Sequence, residues 1–265
     1  MSSSQLAQVV SSLPASGTIE IDPQGNVAGY TIRKAEAYDA AVLDLLDRNI
    51  TRWKFKPVLV DGVARQARFD MYLRLEARPL DEKRYQVEIA SAAFGRQQAA
   101  APHTEIETRN RRALPRYPRD EFFDGVGAKV IAVLRIDRSG KVQNVTIEQT
   151  NLKAVGKDGA MQSWRDAFEE ATTAALRRWT FTPPTVGPSA AEDHWAVRVP
   201  VNFIPQGAKA EPEPGQWESY VPGPRNRVSW ARDGELADSG VDTLPGGGIY
   251  PMEQPLHLLT KLNPE

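Results

Sequence analysis

Two stretches of this chain run through the same sequence of rhythms: apolar residues alternate, pause at a turn, alternate again, recur every three to four positions, and finally alternate once more. In the first stretch Ile19 and Ile21 fall on one face with Thr18 and Glu20 on the other, and Pro23-Gln24-Gly25-Asn26 supplies turn chemistry. Tyr30 and Ile32 then return at period two, so a β-hairpin is predicted. From Tyr38 the spacing becomes helical: Tyr38, Val42, Leu45, Leu46, Asn49, Ile50 and Trp53 share one face. Trp53 and Phe55 next fall on one side of an extended segment closed by Pro57, with both rings sealing the end of the sheet and helix. Phe69, Met71, Leu73 and Leu75 alternate with Arg68, Asp70, Tyr72 and Arg74 as a third strand, which a right-handed crossover places antiparallel to the first. After the loop at residues 79–83, Tyr85, Val87 and Ile89 offer a fourth strand that would cover the edge of the third.

The second stretch repeats these pieces. Val130, Ala132, Leu134 and Ile136 make a strand face, residues 138–141 the turn, and Val145 and Ile147 the return. Residues 151–160 read as an inserted loop, after which Ser163 with Asp166 resembles a capping box opening a helix whose inward stripe is Trp164, Phe168, Ala171, Ala175 and Trp179. Phe181 and Pro183 follow, and Val197, Val199, Val201 and Phe203 alternate with Ala196, Arg198, Pro200 and Asn202 in a last strand. Gly140, Val142 and Thr146 stand 115 positions after Gly25, Val27 and Thr31, and Trp179 stands 126 after Trp53. The predicted fold is α+β: two tandem β-β-α-β modules, each a small antiparallel or mixed sheet packed on one helix. Their expected extents are 1–94 and 116–205, with a linker at 95–115 and an irregular tail at 206–265 that is rich in Pro and Gly. Pro200 cannot donate to a ladder, which places the last strand at an edge; it either discourages pairing there or fits a partner strand that needs no donor at that point.

Composition narrows the function without naming it. The chain has 265 residues with 41% hydrophobic and 25% charged, enough for about two domains with real cores. A net charge of −1 argues against nucleic acid. The linker carries Arg109, Arg111 and Arg112, with Arg116 and Arg119 following, but Glu105, Glu107, Asp120 and Glu121 neutralise them, so it reads as a solvated linker. Cysteine is absent, which removes disulfides and thiolate metal sites. No window reaches the ~18 apolar residues that span a bilayer, and residues 1–10 lack the basic start and apolar core of a signal peptide. From Pro205 onward the chain holds nine of its 20 prolines, and Trp217, Tyr220, Trp230 and Tyr250 of the tail are expected in part to dock on the modules.

Little catalytic chemistry is on offer. His103, His194 and His257 lack metal-ligand spacing, and no nucleophile elbow or phosphate loop is present, so no enzyme, metal, cofactor or small-molecule substrate is expected. Asp22 and Asp137, at equivalent hairpin starts, are read as acceptors for turn amides, and Trp53 and Trp179 as core plugs.

Taken together, Tyr117-Pro118, the strand ending in Ile136-Asp137-x-x-Gly140-x-Val142, the run Ala175-Leu176-x-x-Trp179-x-Phe181-x-Pro183 and the strand at 197–203 resemble the TonB C-terminal domain. Residues 17–75 carry the same hairpin and the Trp53-x-Phe55-x-Pro57 run, without a Tyr-Pro opening, and resemble a diverged copy. The resemblance implies a periplasmic, non-enzymatic protein of the cell envelope that binds an extended segment of a protein partner, such as an outer-membrane receptor, as an added strand. The implied surface is Val197, Arg198, Val199, Val201 and Phe203, with Tyr117 and Pro118 nearby. No membrane anchor or long proline-rich spacer precedes the domain in the given sequence, which sets it apart from an energy transducer. The rival reading is a structural or wall-associated module that grips an anionic polymer.

Overall fold

The computed structural model describes residues 8–60, 62–80, 84–97, 103–109, 113–209, 211–231, 240–252 and 255–264. Its elements are β1 (Val10–Ile21), β2 (Val27–Ile32), α1 (Ala40–Ile50), β3 (Leu59–Val60), β4 (Val63–Ala64), β5 (Ala67–Pro79) and β6 (Tyr85–Gln97). There follow β7 (Glu107–Thr108), α2 (Arg119–Phe123), β8 (Ala128–Asp137), β9 (Val142–Leu152), α3 (Asp158–Leu176), β10 (Phe181–Thr182) and β11 (His194–Phe203). Two short tail strands, β12 (Glu218–Tyr220) and β13 (Tyr250–Pro251), complete the set. The fold is α+β, and both large sheets are antiparallel throughout.

In the first sheet β1 is central. One side pairs with β5 along its length, and β5 in turn with β6. The other side pairs with β12 over Val10–Ser12 and with β2 from Gly17 to Ile21. Pro14, which has no N–H to offer, falls between those two pairings, so the strand keeps running through a residue that would interrupt a continuous ladder. This makes β1 longer than the alternation at residues 18–22 announced. The predicted fourth strand exists and is longer too, running through Gln97 across the expected boundary at residue 94. Val42, Leu46 and Ile50 of α1 pack with Ile19, Ile21, Phe69, Met71, Leu73, Leu75, Trp53 and Phe55 in one core.

The second sheet has the order β13-β11-β8-β9. Its helix, α3, opens at Asp158 with Lys157 as the N-cap residue, six residues before the expected cap Ser163, and no side chain caps it. Its buried face is Met161, Arg165, Phe168, Thr172, Ala175 and Leu176, which leaves Trp164 and Ala171 only half-buried. Phe168, Leu176, Trp179 and Phe181 pack on Val130, Ala132, Leu134 and Ile136 of β8 and on Val197, Val199 and Phe203 of β11.

Two expectations need correction. The stretch 95–115 is not wholly a solvated connector: β7 pairs with β10, matching Thr108 with Phe181 and Glu107 with Thr182. Nor is the tail irregular throughout. Its β12 pairs with β1, and the next residue, Val221, exchanges two backbone bonds with Leu152 at the end of β9 (2.8 and 3.0 Å), so the tail stitches one sheet to the other. Residues 225–231 then lie on the face of the second sheet away from α3, where Val228 buries against Val133 with Met252 and Trp230 donates from Nε1 to Thr146 Oγ1 (3.0 Å). Segments of two or three paired residues are too short to show a period, which is why alternation does not reveal them. Tyr220 and Tyr250 dock as expected, Tyr250 against Tyr72 with ring centres 5.9 Å apart, while Trp217 stays 38% exposed. Arg111, Arg112 and residues 81–83 of the loop after β5 lie outside the described residues.

Candidate functional site

The two hairpin turns are built alike. Asp22 Oδ1 accepts from the N–H groups of Gln24 and Asn26 at 2.9 and 2.8 Å, and Asp137 Oδ1 from those of Ser139 and Lys141 at 2.8 and 3.0 Å. These donors, with the Asn26 side chain foremost for Asp22 and the Ser139 hydroxyl for Asp137, hold both carboxyls below their ordinary range, that of Asp137 down to about 2. Gly25 and Gly140 sit at φ +84° and +80°, and a Cβ at either would stand 2.0 Å from the carbonyl oxygen of Phe55 or Phe181. That close approach lets the Phe55 N–H donate to Gly25 O and the Phe181 N–H to Gly140 O, each at 2.8 Å. Trp53 and Trp179 are both buried and each donates its indole N–H to a backbone carbonyl, that of Leu262 at 2.9 Å and that of Ala113 at 2.8 Å. Pro57 is exposed near Gly25, and Pro183 is half-buried.

β11 carries the predicted partner-binding residues. Its inner side pairs with β8 from His194 to Phe203. On its outer side Met252 N–H donates to Ala196 O (3.0 Å) and Gly247 N–H to Pro200 O (2.9 Å), with Arg198 opposite Tyr250 and Val197 opposite Pro251. In an antiparallel strand a residue's N–H and C=O point the same way, so Pro200 turns its missing donor to the outer edge, where the tail strand asks only for its carbonyl. Of the two roles open to Pro200, the geometry matches a strand that needs no donor there. The outer edge is thus covered by the chain's own tail along residues 196–200. Beyond Pro200 no strand among the described residues pairs with it.

The side chains named from the sequence are brought together, but not as an open face. Val197, Val199, Val201 and Phe203 point into the core with α3. Arg198, expected as an accessible contact, is buried on the opposite face, where Nε and Nη2 reach Glu148 Oε2 and Oε1 at 2.8 and 3.3 Å and Nη1 donates to Met252 O at 3.3 Å. Arg225 of the tail adds a second guanidinium to Glu148 at 3.2 Å. Nothing in the local pattern around Glu148 announces this pair, which forms because β9 and β11 both flank β8 and the tail roofs them. Tyr117 meets the far end of β11: its ring lies 5.6 Å from that of Phe203 and 5.7 Å from that of Phe168, and its hydroxyl donates to Val126 O at 2.6 Å. Burial raises its pKa. Pro118 is the N-cap residue of α2.

Leu114, Pro115, Tyr117 and Trp179 line a groove of about 740 Å³ whose other wall is the C-terminal half of β11 through Phe203 and Ile204. Leu114 on its rim is 82% exposed, and Ile204 39%. The site is therefore backbone edge plus apolar trough, with no convergent acid, base or nucleophile among the residues that line it.

These features define an α+β protein whose last helix-backed strand accepts a further strand on its outer side, beside an apolar groove. The chain is similar to Protein TonB of two strains of Xanthomonas campestris pv. campestris, B100 and ATCC 33913, at 35% identity over 89 residues, which is 34% of this chain and 34% of the relative in each case. It carries a TonB C-terminal-like domain. The aligned part spans about a third of the length of the curated relatives it matches. No family profile and no solved structure matches the chain. Among the described residues, no helix is long and apolar enough to cross a membrane.

Proposed function

We propose that this is a periplasmic TonB-like interaction protein, built from two tandem copies of one module, that binds an extended segment of an envelope protein, such as an outer-membrane receptor, as a strand added to the outer edge of β11. One observation carries the reading: β11 already takes an added strand on that edge, from its own tail, through the carbonyls of Ala196 and Pro200. The groove continues the same edge past Pro200, with Leu114, Tyr117 and Trp179 available to apolar side chains of an incoming segment. Main-chain pairing would supply affinity and the groove selectivity. The matched hairpin turns and tryptophan bonds of the two halves support the duplication, and similarity to Protein TonB supports the envelope location. Binding a segment longer than the free part of the edge requires residues 247–252 to leave it.

The test is titration of the isotopically labelled chain with extended receptor peptides. Amide shifts are expected at residues 201–204, at Leu114 and Tyr117, and at Gly247 and Met252 as the tail gives way, with only mild dependence on ionic strength. Shifts that avoid residues 196–204 altogether would overturn the proposal. A steep loss of binding with salt, seen with an anionic wall polymer and not with peptides, would favour the structural, wall-associated reading.

A further inference from the structure

The segments that satisfy Trp53 and Trp179 come from unrelated places in the chain and yet dock in the same way. At the second tryptophan the docking segment immediately precedes its own half: Thr108 pairs with Phe181, Arg109 N–H donates to Thr180 O (3.1 Å), and Ala113 O receives the Trp179 indole. At the first it is residues 256–263. Leu258 pairs with Phe55, Leu259 N–H donates to Lys54 O (2.7 Å), Lys56 N–H donates to His257 O (2.9 Å), and Leu262 O receives the Trp53 indole. Residue for residue, Leu258 and Leu259 stand to Phe55 and Lys54 as Thr108 and Arg109 stand to Phe181 and Thr180. Leu256 is buried in the first core where Ile106 packs on the second.

A slot that is filled once by a segment ending 66 positions before its tryptophan and once by residues more than 200 positions after it is selecting a strand by chemistry, since connectivity differs completely between the two cases. The chemistry in the first slot is specific. Trp53, Phe55 and Phe94 meet edge to face with ring centres 5.2 to 6.3 Å apart. Lys54 N–H donates to Thr260 Oγ1 (3.3 Å). Asn263 acts as a peptide-bond mimic on the outer side of β6, accepting from Ile89 N–H and donating to Ile89 O, both at 3.0 Å. The bonds of residues 257–263 named here go to residues 53–56 and to Ile89, whereas β12 pairs with β1 and β13 with β11, so this segment can leave without disturbing either.

We propose that the Trp53–Phe55 slot is a peptide-binding site, separate from the β11 edge, and that residues 255–264 are its tethered ligand, read through Leu256, Leu258, the carbonyl of Leu262 and the amide of Asn263. The ligand is exchangeable, so the same segment supplied as a free peptide, or by a second copy of the chain, occupies the slot in trans.

The experiment uses the full chain with a specific protease site placed between Met252 and Pro255, folded intact and then cut. A fluorescent peptide of residues 255–264 is titrated into the cut protein and followed by anisotropy, with the indole N–H resonances of Trp53 and Trp179 as reporters. Saturable exchange is expected. The Leu256→Asp peptide should bind at least tenfold more weakly and the Asn263→Ala peptide about thirtyfold more weakly, the factor corresponding to its two hydrogen bonds to Ile89. The Trp53 resonance should move when the segment leaves while that of Trp179, whose partner stays covalently in place, holds still. The proposal is overturned if the cut fragment cannot be displaced short of global unfolding, which would make it an ordinary core strand, or if it leaves and the labelled peptide shows no saturable return. It is likewise overturned if both variant peptides bind like the parent.

Discussion

Replacing Arg198 by Met tests how the outer strand is held. The side chains of Arg198 and Glu148 are 2% and 4% exposed, and removing one partner of so buried a pair leaves the other charged and desolvated, at a cost of about 3–5 kcal/mol. Arg225, 3.2 Å from Glu148 and 36% exposed, remains as a partial substitute, so Arg198→Met should fall near the lower end, about 3 kcal/mol. Glu148→Met is the harsher change, about 4 kcal/mol, because it strands the more deeply placed guanidinium with the Met252 carbonyl as a remaining acceptor. The double variant Arg198→Met/Glu148→Met should lie within about 1 kcal/mol of the parent, since apolar side chains of similar length replace the pair and Arg225 turns to water. Urea unfolding of the four proteins measures the coupling. Hydrogen exchange adds a functional readout: Arg198 donates to Met252 O, so its loss should speed exchange at the amides of Met252 and Gly247, which cover the edge of β11. A loss below about 1 kcal/mol for Arg198→Met, or a double variant no better than the sum of the singles, would refute the view that this pair is desolvated and clamps the tail.

Gly25→Ala and Gly140→Ala each force a Cβ against a backbone carbonyl 2.0 Å away at positive φ, so each should destabilise by at least about 2 kcal/mol, read as a fall in Tm, whereas Gly29→Ala, which meets nothing within 4 Å, should change little. The depressed carboxyl of Asp137 contributes stability that is complete above its ordinary value of 3.8 and is lost as pH falls toward about 2, so the gap in stability between the parent and Asp137→Ala should be full at pH 7 and should close by pH 2; a gap independent of pH would show that the carboxylate's hydrogen bonds are not its source.

The hairpins, both long helices, the tryptophan plugs and the alternation of β11 are all legible in the sequence, because each is a local period or a turn whose residues have few alternatives. Pro200 marks its strand as having an unpaired side, and Asp22 and Asp137 announce their turns. What covers that side is decided only in three dimensions. Residues 247–252, 218–221 and 256–263 pair over one to three positions each with segments far away in sequence, and so brief a pairing leaves no rhythm; Leu256-His257-Leu258 and Tyr250-Pro251 after three glycines are its faint traces. The burial of Arg198 beside Glu148 has the same origin. A charge on an alternating strand points to solvent unless another segment roofs it, and here that roof comes from the distant tail.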